Sequence, residues 1–278
     1  TLSAPGTGTQ NTAIGTAALN VNTDGDNNTA VGRNALLSNT TANANTAVGY
    51  QAGYSTTTGG LNTAIGVEAA YSNTTGVRIT AVGYKAAYGN TTGTNNVAIG
   101  AAISGLSGTL GTNTTGNYNV AIGDSALQAS TTASNNTSVG YASLLDNTTG
   151  ASNTAVGMDA LSNNTTASYN TAVGSGAAFN TTTSSQGVTV VGADVLYQNT
   201  TGTDIVAMGR AALYNNTTGS YNVALGRSAL QANTTASNNT AVGYQAGYAN
   251  TTGAHSDAFG YRALYTNTTG TQNVAIGS

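Results

Sequence analysis

The 278-residue chain contains no cysteine and no tryptophan, a single proline and a single histidine. Without cysteine there is no disulfide and no thiolate metal site, and the redox compartment is left open. Charge is equally scarce: Asp, Glu, Lys and Arg make up 5% of the residues, against roughly 25% in ordinary domains. Six Lys and Arg against nine Asp and Glu leave a net charge of −3, which argues against the basic footprint of a nucleic-acid binder. No apolar run is long enough to read as a membrane-spanning helix. Nor does any segment hold a 3.6-residue apolar period, and Gly, Asn and Thr oppose a helix at almost every turn. The chain opens at Thr1 without methionine or a signal-peptide pattern, so it reads as a mature product or as a segment of something longer.

Low charge also fits a disordered Gly/Asn/Thr tract, but disorder goes with high net charge and few β-branched residues. Here 39% of residues are hydrophobic, and they stand at fixed positions. Aligning the glycine that closes each N-T-A-V-G gives Gly15, Gly32, Gly49, Gly66, Gly83, Gly100, Gly123, Gly140, Gly157, Gly174, Gly192, Gly209, Gly226, Gly243, Gly260 and Gly277. Thirteen of the fifteen intervals are 17 residues; Gly100 to Gly123 is 23 and Gly174 to Gly192 is 18. A fixed period over the whole chain means one repeat array, with no linker or domain boundary across residues 1–278. The six extra residues fall within Ala101–Thr112, a Gly/Ser/Leu-rich stretch expected to bulge as a single loop.

The stretch Asn239–Gly253 shows the unit. Asn239-Thr240-Ala241-Val242 alternates and stops at Gly243; a second strand-like piece, Ala246 to Tyr248, precedes Asn250-Thr251-Thr252 and Gly253. Two short extended pieces joined by glycine corners predict one coil of an all-β parallel solenoid, and the array predicts about sixteen coils. The residue before each glycine is always apolar, and Ala stands two before it in fourteen of sixteen coils. Period-2 alternation then puts the apolar column and the Thr/Val column on one face, expected to be the core, with the Ala column outward. Stacked coils turn identical residues into ladders of Asn, Thr and Tyr spaced by roughly 4.8 Å, in a rod of roughly 75 Å.

The N-[TV]-A-[VI]-G column is similar to the repeat of YadA-like head domains in trimeric autotransporter adhesins, from Asn11 to Gly277. The G-Y-x-A-x-Y-x-N-T-T-G arrays also resemble stretches of phage tail fibres and large bacterial surface proteins. The resemblance implies a left-handed parallel β-roll, commonly trimeric, that displays an adhesive surface outside a cell or on a virion. The 17-residue period is longer than that of the adhesin heads, and no coiled-coil stalk, anchor or self-cleaving chaperone domain accompanies it.

Candidates for chemistry are few. His255 stands at a corner with Asp257 two residues away, but no repeated Ser or Cys nucleophile context accompanies it. Glu68, Asp159 and Asp194 share a column yet lie coils apart, not as the facing pair that glycoside hydrolysis needs. Glu68 is expected to pair with Lys85 one coil on, as an exposed ion pair of little value. Thr23-Asp24-Gly25-Asp26-Asn27-Asn28 holds the one dense oxygen cluster, with Asp24, Asp26 and Asn28 as a weak calcium candidate lacking a closing glutamate. The triplets at Asn39, Asn73, Asn147 and Asn250 match the glycosylation acceptor pattern, which is empty if these side chains point inward. Tyr50, Tyr84, Tyr141, Tyr244 and Tyr261 follow the glycine and are surface-contact candidates for a glycan, a receptor or a neighbouring copy.

The sequence therefore predicts an extracellular or cell-surface structural fibre or adhesin segment, assembling with copies of itself, with no enzyme activity and no cofactor. Ser278 set against the Thr1 of another copy would separate the two flanking glycines by 16 residues, nearly a normal coil, which suggests head-to-tail filaments as an alternative to a trimer. Ice binding through Thr ladders is the alternative function, with one Thr column of each N-T-T expected outward and no T-x-T pair.

Overall fold

The computed structural model describes residues 7–102 and 107–278, and no helix occurs among them. The chain divides into two compact units, Thr1–Ala142 and Ser143–Ser278. The first carries β1 (Thr12–Ile14), β2 (Thr29–Val31), β3 (Thr46–Val48), β4 (Thr63–Ile65), β5 (Thr80–Val82), β6 (Val97–Ile99), β7 (Val120–Ile122) and β8 (Thr137–Val139). The second carries β9 (Thr154–Val156), β10 (Thr171–Val173), β11 (Thr189–Val191), β12 (Val206–Met208), β13 (Val223–Leu225), β14 (Thr240–Val242), β15 (Asp257–Phe259) and β16 (Val274–Ile276). Within each unit every strand pairs in parallel with the next in sequence, residue for residue, as Thr46 with Thr63, Ala47 with Ala64 and Val48 with Ile65. This is the parallel β-solenoid that the 17-residue period predicts.

The β-branched residues of each N-T-A-V segment favour an extended backbone. The following glycine, with φ between +118° and +145°, ends the strand at a turn that a side chain would strain. The core is the reverse of the expected one. The Ala column is buried, at 0% exposure for Ala30, Ala47, Ala81 and Ala241, while Val48 and Ile65 stand 37% and 40% exposed. Asn and Ala of N-T-A-V point inward; Thr and Val point outward. The reason is space, since a 17-residue coil closes on an interior that admits an alanine at each level. Val190 replaces that alanine in the one coil that has gained a single residue, and it too is fully buried.

The second expected strand is not one. After most of these glycines the chain runs through a turn in which two alternate residues are left-handed, as in Gln51 (φ 55°) and Gly53 (φ 60°) or Asn34 (φ 60°) and Leu36 (φ 48°). Leu19, Leu36, Leu127, Leu161, Leu196 and Leu213 hold this strained conformation while almost fully buried. Each such leucine gains roughly 1.5–3 kcal/mol from burial, enough to offset a left-handed backbone that costs about 1–2 kcal/mol.

From N-T-T to the next strand, burial recurs every third residue: Asn39, Ala42 and Asn45 are inside. The two threonines between Asn39 and Ala42 are both at the surface, half-buried Thr40 and exposed Thr41, so both Thr columns face out rather than one. The two Asn columns carry the interior. Asn216 Nδ2 donates to Asn199 Oδ1 at 2.9 Å and to the Gly219 carbonyl at 2.9 Å. In the other column Asn45 N–H donates to Asn28 Oδ1 at 3.0 Å, and Asn45 Nδ2 to the Gly59 carbonyl at 3.1 Å. Turn carbonyls that no strand could satisfy are thus paired inside.

Irregular intervals keep the ladder. Ala102 N–H donates to the Tyr84 carbonyl at 3.0 Å and Ala87 N–H to the Thr109 carbonyl at 3.0 Å, so the extra length enters between Ala102 and Thr109. Residues 103–106 of the expected loop lie outside the described residues. In the 18-residue interval, Asn170 Nδ2 reaches the Ser185 carbonyl at 2.9 Å, fifteen residues on where fourteen is usual, so the added residue is absorbed at the corner.

Candidate functional site

The outward strand face is a regular surface that runs along each unit. In the first it consists only of Thr, Val and Ile, from Thr12 and Ile14 to Thr137 and Val139, and bears no charge. In the second it includes Met208, Leu225, Phe259 and one charge, Asp257. Adjacent strands lie about 4.8 Å apart and outward neighbours along a strand about 6.8 Å apart, so each unit presents a grid of two columns, one of Thr interrupted by Val97, Val120, Val206, Val223, Asp257 and Val274, the other apolar. The sequence reading placed this face inside.

The tyrosines that follow the strand-closing glycine lie at the surface. Tyr50, Tyr84, Tyr141, Tyr244 and Tyr261 are all exposed. The Tyr column four residues further on forms stacks: Tyr54 with Tyr71 at 4.9 Å, Tyr71 with Tyr88 at 5.1 Å, and Phe179 with Tyr197 at 4.9 Å between ring centroids. Burial pushes the Tyr71 hydroxyl above the ordinary phenol range, and charge on Tyr54 and Tyr88 adds to it. Burial also raises Tyr197, followed by the effect of Tyr214. Cations sit on these rings: Lys85 Nζ is 5.4 Å from Tyr84 and 5.3 Å from Tyr88, and the Arg33 guanidinium is 5.7 Å from Tyr50. Lys85 meets Glu68 at 3.6 Å, as expected from the sequence. Partial burial lowers the Lys85 pKa, but Tyr84 and Glu68 outweigh it and hold the ammonium above its usual value.

The threonine hydroxyls behave differently in the two columns. Those of the first are committed along the ladder, as Thr74 Oγ1 donating to the Thr91 carbonyl at 3.0 Å and Thr217 Oγ1 to the Thr234 carbonyl at 3.0 Å. The second column, Thr41, Thr75 and their equivalents, is exposed.

Other candidates are not brought together. Asn28 is buried, with its side chain spent on the Asn45 N–H and the Ala42 carbonyl, so it cannot join Asp24 and Asp26 around a cation. Asp24 accepts from the Thr7 hydroxyl at 2.7 Å, which holds its carboxyl below the usual value, and Asp26 accepts from Thr9 N–H at 2.6 Å. No group of three His, Cys, Asp or Glu among the described residues converges as a metal site would. His255 is an exposed corner residue at φ 59°, and Asp257 begins β15. Asp159 and Asp194 stand two coils apart in one column with Gly176 between them, and not across a cleft; the described residues form no pocket. Asn39, Asn73, Asn147 and Asn250 are buried, so the glycosylation pattern marks the core.

Two surface features escaped the sequence reading. Tyr118, Tyr169 and Tyr221 occupy the corner column at φ between 57° and 63°, exposed by 59–69%; their signal was an aromatic residue recurring in a column where Asn is the commonest residue. The other is a run of arginines and tyrosines over residues 210–265, legible as a stretch poor in carboxylates. Comparison with protein-family models, with curated proteins and with solved structures gives no match. No helix among the described residues is long and apolar enough to cross a membrane.

Proposed function

We propose that this chain is a structural segment of an extracellular fibre or adhesin, which assembles with copies of itself through the outward strand face and displays its remaining surface for attachment. The observation that carries the reading is the apolar outward column, Val31, Val48, Ile65, Val82, Ile99 and Ile122, on a face of the first unit that bears no charge. Eight strands at about 4.8 Å extend this face over about 34 Å. A flat apolar patch of that length marks an interaction site, because monomers seldom expose contiguous apolar areas beyond a few hundred Å². The occupant that fits is a second copy: the surface repeats at every coil, so an identical surface meets it in register and buries apolar columns on both sides. Localisation outside the cell follows the resemblance to adhesin heads and tail fibres.

The same face supports a second reading. Thr and Val or Ile on alternating columns of a flat, charge-free grid make a surface that would order water, as an ice-binding face must. One experiment separates the two: solution mass and negative-stain imaging of the chain beside the Val48→Lys/Ile65→Lys/Val82→Lys variant, with thermal hysteresis read on the same samples. Trimers or filaments that fall to monomers in the variant support the fibre. A monomer with thermal hysteresis moves the assignment to ice binding. A monomer without hysteresis removes both.

A further inference from the structure

The second unit carries a patch that the strand face does not use. Residues 210–256 contain no Asp or Glu, and from Arg210 to the end the chain holds three arginines and one aspartate, a local charge of +2 in a chain of net −3. The solenoid gathers these arginines. Ser228 N–H donates to the Arg210 carbonyl, Gln245 N–H to the Arg227 carbonyl and Arg262 N–H to the Tyr244 carbonyl, each at 3.0 Å. That register stacks Arg210, Arg227, Tyr244 and Tyr261 as consecutive rungs of one exposed column, with Gln245 and Arg262 on the column beside it. Arg262 Nε donates to Gln245 Oε1 at 2.9 Å, and its guanidinium lies 5.3 Å from the Tyr261 ring and 4.9 Å from Tyr265. The one ion pair among the described residues, Glu68–Lys85, lies in the other unit, so none of these three guanidiniums is in salt-bridge contact with a carboxylate.

We propose that this strip binds an acidic polysaccharide, a linear glycan bearing carboxylates along its length. Guanidinium forks pair with carboxylates bidentately; Arg210 and Arg227 stand on adjacent rungs about 4.8 Å apart, and Arg262 stands two rungs beyond Arg227 on the neighbouring column. The aromatic geometry selects the polymer. Tyr244 stacks on Tyr261 at 5.5 Å and Tyr248 on Tyr265 at 5.1 Å, and the Arg262 guanidinium lies over the Tyr261 and Tyr265 rings. Nucleic-acid bases need open ring faces to stack on, whereas this strip offers phenol edges and N–H donors to hydroxyls and carboxylates. An open surface without a pocket accommodates a long extended chain better than a small molecule.

The inference rests on the attachment role proposed above and names its ligand class, but it uses columns separate from the strand face, so the two can fail separately. The test titrates the full chain with alginate, a polyuronate, with neutral dextran and with a poly-dT oligonucleotide, while its solution mass is followed. Alginate binding that weakens from about 20 to 200 mM salt, and falls at least tenfold in Arg210→Gln/Arg227→Gln/Arg262→Gln but not in Arg33→Gln, is the expected result. Arg262→Lys, which keeps the charge and loses the fork, lies between. Absence of alginate binding, equal dextran binding or an unaffected triple variant overturns the site, whatever the assembly state. Tighter poly-dT binding overturns the choice of polymer.

Discussion

Asn199 Oδ1 accepts from Asn216 Nδ2, and Asn216 Oδ1 from Asn233 Nδ2 at 2.7 Å. The chain breaks wherever the next coil lacks asparagine. Asn39, Asn113 and Asn164 are followed one coil on by Thr56, Ser130 and Thr181, and at each the buried Oδ1 has no donor. Ser130 Oγ and Thr181 Oγ1 are left unpaired as well. An unmet buried acceptor costs about 1–3 kcal/mol, and a restored hydrogen bond returns about 1 kcal/mol. Thr56→Asn and Ser130→Asn are therefore expected to raise the melting temperature, and Asn216→Ala to lower it by removing the bonds that Asn216 Nδ2 donates to Asn199 Oδ1 and to the Gly219 carbonyl; differential scanning calorimetry reads all three. The strand-closing glycines are equally exacting. At Gly243, with φ of +139°, a Cβ would strike the Gly260 carbonyl oxygen of the next coil. Gly243→Ala combines that clash with a backbone strain of about 1–3 kcal/mol, and a fall of at least that order in the unfolding free energy from urea titration checks it.

Among the elements, the tyrosine stack couples stability to alkaline pH. Tyr71 has a raised pKa, so the folded chain holds its proton more tightly than the unfolded chain does. The stabilisation is fully present below the ordinary phenol pKa of about 10 and drains away as pH rises through the higher folded value. Thermal melts between pH 8 and 11 should show a decline that Tyr71→Phe reduces; an unchanged slope would remove the assignment. The elements also show what was legible in the chain. Period and glycine register located every strand within the described residues, because a solenoid repeats its backbone as faithfully as its sequence. Facing was not legible. Alternation in N-T-A-V says that Ala and Val oppose each other but not which is inside, and hydrophobicity picks valine until the narrowness of the coil is known. The tyrosines after the glycine were read correctly as surface, since that position also carries Arg33, Asp124 and Arg227. The left-handed leucines had no local signal at all; only burial of their side chains offsets a conformation that leucine avoids.

At the scale of a whole unit, each coil pairs with its neighbours in sequence, so damage should spread only locally. In the second unit, Gly243→Ala is expected to speed amide exchange in β13, β14 and β15 while β9 to β11 stay protected, and hydrogen-exchange mass spectrometry can resolve the two. Uniform loss of protection would mean that the coils unfold together. The buried triplet asparagines bear on how the protein can be made. Asn39-Thr40-Thr41 and Asn73-Thr74-Thr75 are acceptors for a glycosyltransferase that meets the chain before it folds, yet in the finished coil these amides are fully enclosed and hydrogen-bonded to the turns. A sugar attached there has no place inside the solenoid. Passage through a eukaryotic secretory route would therefore convert folding signals into obstacles, whereas a cell without that enzyme would release the same chain native.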